Sequence, residues 1–149
     1  MSEMLGNQYY LACRYDKAEL EFESVLKNEP SNKSVVKKII ICYIAEKKVF
    51  KAIKYFYRLA LEDIEFIIAH DSYVQICPCK DLISEIEAEE EKMSCFENIL
   101  SLAMLWLFCD LDKSLYYFHN INSTYISQDL INNIVQKINE FKSKQGTEV

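Results

Sequence analysis

Two thiols flank a proline at Cys77-Pro78-Cys79, with His70 upstream and Cys95 downstream, and these are the residues best placed to hold a metal. A structural zinc site takes four ligands, commonly from Cys pairs spaced by two or more residues. One intervening residue is tighter than that, and His70 and Cys95 would have to complete the set. The favoured reading is a turn at Pro78 with the thiols packed inward, which leaves Cys77 and Cys79 as a weak metal pair. Cys13, Cys42, Cys95 and Cys109 fall within apolar helical patterns, where a free Cys behaves as a small core residue. Neither His70 nor His119 has a nucleophile–base–orienter set legible around it. The only glycines are Gly6 and Gly146, so no Gly-rich loop can cradle a phosphate. Neither catalysis nor a cofactor is expected.

Charge narrows the partners. The formal charge is −6, and the run Glu85-Ile86-Glu87-Ala88-Glu89-Glu90-Glu91 supplies five of the negative charges. Such a run is most often a solvated helix face, although it could attract a basic partner. Lys37-Lys38 is too little for the basic stripe that nucleic-acid binding requires, so no nucleic acid is expected. The longest apolar run, Ile99–Cys109, is about half of what spans a bilayer, so no membrane insertion is expected either. The N-terminal stretch lacks a basic region followed by an apolar one, and no signal peptide is read there. Reduced thiols and a cytoplasmic location follow as expectations. Thr147-Glu148-Val149 fits the C-terminal tripeptide that PDZ domains accept, a pattern common by chance.

The elements that would position these residues are helices. Of 149 residues, half are hydrophobic and only two are Gly and two Pro, too few turn residues for many short strands. Tyr9 and Tyr43, Lys17 and Lys51, Ala18 and Ala52, and Phe22 and Phe56 are each 34 residues apart. The first copy reads Leu5-Gly6-x2-Tyr9, then Ala18-x3-Phe22, then Pro30. The second reads Ile39-Ile40-x2-Tyr43, then Ala52-x3-Phe56, with Ile64 in place of the proline. On these residues the chain resembles the tetratricopeptide-repeat family over 1–64, whose unit is a 34-residue helix–turn–helix hairpin. Small residues at 6, 18 and 52 would let two helices approach while Tyr and Phe fill the space between them. Lys-Ala-x-x-x-Phe is thus a packing device.

The resemblance implies an all-α solenoid, a single domain over 1–142. Repeat one covers 1–32 and repeat two 33–64. An insert or degenerate helical unit covers 65–94, with a helix over about Lys80–Glu91 that turns Leu82, Ile83 and Ile86 to one face. A degenerate repeat three covers 95–127, with Ser114 and Phe118 in the small and aromatic positions. A capping helix over 128–142 follows the N-cap Ser127, with Leu130, Ile131, Ile134, Ile138 and Phe141 at spacings of three and four. The tail 143–149 reads as disordered.

In this family the first helix of each hairpin lines a concave groove that holds a peptide. Carried over, that implies a non-catalytic adaptor that binds a protein or peptide partner. Ile41, Ile44 and Trp106 would be apolar anchors, Tyr10 an amphipathic anchor, and Asn7 and Lys37 polar register contacts. The competing expectation is that the insert fills the groove, or that these side chains are core. The two-carboxylate clamp for chaperone tails is rejected, because Glu3, Asn7, Lys38, Phe96 and Leu100 stand where Lys, Asn, Asn, Lys and Arg are needed. Two further readings stay open: a small acidic secretion chaperone holding an exported protein, and a module that self-associates into a homo-oligomer.

Overall fold

A computed structural model describes residues 2–68, 79–122 and 124–147, the side chains at 79, 80, 146 and 147 excepted. Among these residues there are eight α-helices and no strand. They are α1 (Glu3–Leu11), α2 (Tyr15–Asn28), α3 (Lys33–Ala45), α4 (Val49–Ile68), α5 (Cys79–Lys92), α6 (Phe96–Trp106), α7 (Leu111–His119) and α8 (Gln128–Thr147). His70, Cys77 and the stretch before α5 lie outside the described residues, as do Glu148 and Val149.

Local chemistry sets the boundaries. The Ser2 hydroxyl accepts from the Leu5 N–H at 2.8 Å and starts α1, and the Asn32 side chain accepts from Val35 N–H at 3.2 Å and starts α3. Asp110 takes the Asp112 and Lys113 N–H groups at 3.1 and 3.2 Å and starts α7. The turns after α1 and α3 are built alike. Cys13 and Lys47 sit at φ of 59° and 62°, the C′ position of a Schellman motif. Arg14 N–H reaches the Tyr9 carbonyl and Lys48 N–H the Tyr43 carbonyl, both at 2.8 Å. The turn after α6 is different: Cys109 and Asp110 both donate to the Trp106 carbonyl, with no residue at positive φ.

The helices pack as pairs, α1 with α2, α3 with α4, and α6 with α7, while α2 also lies against α3 and α5 against α6. The repeated small and aromatic positions are the inside of these pairs: Ala18, Phe22, Ala52, Phe56, Ser114 and Phe118 are all buried. Gly6 allows α1 to rest directly on the Phe22 ring. Ser114, where the other copies have Ala, places its hydroxyl on the Ala103 carbonyl of α6 at 2.7 Å. These contacts hold one continuous core.

The pair α6/α7 enters in the opposite sense to the first two. Phe50 at the start of α4 meets Phe96 at the start of α6, with ring centroids 6.1 Å apart. Lys37, near the start of α3, lies 5.6 Å from the Phe108 ring just beyond the end of α6. So α6 runs parallel to α4 and against α3. The cause is α5, whose end is tied to the end of α3 by Lys47 and Glu89 at 2.9 Å. One extra helix takes the next place in the up–down order and reverses everything after it. The last helix, α8, extends to Thr147, past the 142 expected, and packs back on α4 and α7.

Candidate functional site

The six residues expected to line one groove do not share one. Tyr10 is buried, edge-on to Tyr15 at 6.1 Å and to Phe22 at 6.2 Å, so it is a core ring of the first pair and not a surface anchor. Asn7 is half-buried, and its side-chain oxygen accepts from Lys38 Nζ at 2.7 Å. Burial holds the Lys38 ammonium below the usual lysine range, with Glu3 acting against it. Glu3 in turn accepts from Asn32 at 3.0 Å, so the polar end of the expected groove is bound into the structure.

Lys37 is likewise engaged. Its Nζ donates to the Phe66 carbonyl at 3.1 Å and lies 5.5 Å from the Phe66 ring centroid. It acts with Lys33, one turn earlier, whose ammonium meets the Asp63 carboxylate at 2.9 Å. Asp63 has left helical geometry (φ −159°, ψ 77°) and caps the last turn of α4 by accepting the Phe66 N–H at 3.2 Å. Two lysines on one face of α3 therefore grip the kinked end of α4.

Ile41 and Ile44 are 3% and 2% exposed, which makes them core residues where open groove positions were expected. Trp106 is half-buried under Lys113, whose Nζ stands 4.2 Å from the ring centroid, and its indole N–H is buried without an acceptor among the described residues. His119 is exposed at the end of α7. Cys95, the residue that would have completed a site with Cys77, Cys79 and His70, precedes α6 and is half-buried. Among the described residues no three His, Cys, Asp or Glu side chains are arranged to hold a metal, and no helix is long and apolar enough to cross a membrane.

A wide hollow of about 650 Å³ lies along α8 between Asn132 and Lys144. Beside the expected groove positions, a cleft of about 460 Å³ opens where the α3–α4 turn, α5 and the start of α6 converge. Its floor is Ile44, Val49, Ile86 and Ser101, and its rim is Lys47, Glu89, Lys92, Met93, Glu97 and Asn98. Of the six residues expected to form the groove, only Ile44 is in it. Ile86 was legible as one face of a short helix, but nothing in the sequence brings that face to the end of α3. The floor is apolar and the rim carries both signs, which suits capture of an apolar side chain with charged neighbours.

In comparison with family models, curated proteins and solved structures, no family model, no curated protein and no solved structure matches the chain.

Proposed function

We propose that the chain is a tetratricopeptide-like solenoid module, cytoplasmic and non-catalytic, that works as an adaptor by holding a segment of a partner protein. The observation that carries this reading is the recurrence, at 34 residues, of both the packing residues and the turn. Ala18/Phe22 and Ala52/Phe56 are buried alike, and Cys13 and Lys47 close their hairpins through the same hydrogen bonds. Hairpins of this kind stack to bury a shared core and present side chains along one face. The receiving site in this reading is the cleft over Ile44, because the end of α5 meets the turn after α3 there and the expected groove positions Ile41 and Ile44 are core. An amphipathic helix or extended peptide would set one apolar side chain on the floor, with Lys47, Lys92, Glu89 and Glu97 selecting its charged neighbours.

Capture from native lysate by the wild type beside Asn98→Trp tests this. Asn98 is half-buried on the first turn of α6, so the indole would fill the cleft while circular dichroism and the thermal melt stay unchanged. A partner held by the wild type and lost by the folded variant supports the cleft. Equal capture by both overturns it.

A further inference from the structure

The cleft lies beside a stretch of exposed aromatic surface. Phe50, Phe96 and Tyr125 form a row with centroids 6.1 and 6.0 Å apart, Phe50 being 49% and Tyr125 75% exposed. Val49 and Cys95, the sequence neighbours of Phe50 and Phe96, line the cleft itself, and Met93 on its rim is 76% exposed. An apolar knob and an apolar hole thus share one surface. That is the requirement for an isologous contact, in which a single patch meets its own copy.

The flanking charges point to the same occupant. Residues 47–61 carry Lys47, Lys48, Lys51, Lys54 and Arg58 and no acid. Lys48 is paired with Glu19, Lys51 lies over Tyr43 and Arg58 donates to the Pro30 carbonyl. That leaves Lys47 at the cleft and the exposed Lys54, one turn from Phe50, as its basic flank. Residues 81–91 carry Asp81, Glu85, Glu87, Glu89, Glu90 and Glu91 and no base. The cleft separates the basic turn from the acidic helix, and Lys47 and Glu89 already bridge it within one chain. We infer that this face binds a second copy of the chain about a two-fold axis, each Phe50 entering the cleft of the other copy. The axis sets each basic flank against the other copy's acidic helix, so charge orients the pair while the apolar contact holds it. The inference does not rest on the adaptor reading. It adds a regulation to it, since the dimer covers the cleft and dissociation opens it.

Sedimentation velocity of the purified full chain from low micromolar concentration upward tests the pair. The expected result is a concentration-dependent dimer that loosens with added salt. Phe50→Asp weakens it at least about tenfold, while Leu20→Asp, an exposed change on α2, leaves it unaltered. p-Benzoylphenylalanine at position 50 should give cross-links of dimer mass whose junction falls within residues 86–101. That mapping decides even where Phe50→Asp fails to fold. A monomer at every concentration, a salt-indifferent dimer, equal weakening by Leu20→Asp, or a junction elsewhere overturns the inference. A monomer that captures a different protein through this face does so too, and leaves the adaptor reading standing.

Discussion

Gly6 and Phe22 are in such close contact that a Cβ built on the glycine would stand 2.6 Å from the ring carbon Cε1. The ring cannot swing aside, because it is fully buried and Tyr10 packs edge-on against it at 6.2 Å. Two effects then compete in Gly6→Ala. Alanine gains about 1 kcal/mol of helix propensity over glycine. Overpacking a filled core costs about 1–3 kcal/mol. The clash should win, lowering stability by about 1 kcal/mol in urea unfolding, and Phe22→Leu should relieve most of the loss.

The two hairpin turns offer the opposite case. Cys13 is exposed and holds φ at 59°, where a side chain costs about 1 kcal/mol and glycine costs almost nothing. Cys13→Gly is expected to raise stability slightly, by up to about 1 kcal/mol, and Cys13→Val to lower it, each read as a shift of the urea midpoint. Lys47→Gly should gain less, since it also removes the ion pair with Glu89.

How much of this was legible in the sequence depends on what each residue depends on. Ala18, Phe22, Ala52, Phe56, Ser114 and Phe118 could be placed inside helix pairs from spacing alone, because a pair packs its own interior wherever it sits. The face of α5 made by Leu82, Ile83 and Ile86 was legible for the same reason. The sense in which α6/α7 enters was not, since the same interior pattern serves a hairpin facing either way. Ile41 and Ile44 were misplaced because a buried and an open apolar position look identical until the covering element is located. The kink at Asp63 did leave a signal: an acid three residues before Phe66 is an N-cap spacing, hidden inside an otherwise helical run.

Ser114 tests whether the third pair is packed like the others. Its hydroxyl is fully buried and bonded to Ala103, so Ser114→Ala loses one hydrogen bond, about 1 kcal/mol. The smaller side chain then matches Ala18 and Ala52. Ser114→Val adds volume at a closed contact and should cost more, about 1–3 kcal/mol. Urea midpoints should fall in the order wild type, alanine, valine.

The Asp63–Lys33 pair should be visible as a pH dependence. The Lys33 hydrogen bond, assisted by the Phe66 N–H, holds the Asp63 carboxyl below the usual carboxylate range. A depressed carboxyl stabilises the fold above its unfolded pKa, and that contribution disappears as pH falls through the depressed value. The wild type should therefore lose more stability than Asp63→Asn between about pH 5 and pH 2. The Lys33 ammonium is raised by the same contact, so its contribution is lost only in strong alkali. Urea midpoints in a pH series check both, and parallel curves for the two proteins would sink the assignment.

One contact changes how the whole chain should come apart. A row of helical pairs joined only to neighbours can fray from an end, pair by pair. Here the chain folds back, with α8 lying on α4, Asn133 donating to the Tyr57 hydroxyl at 3.2 Å and Phe118 meeting Phe56 at 6.0 Å. Tyr57 and Asn133 are 76 positions apart, so the last helix cannot leave without uncovering the second pair. The molecule behaves as a closed loop with α4 as its axle. Its unfolding should be one cooperative event, and its amides from α3 to α8 should exchange together.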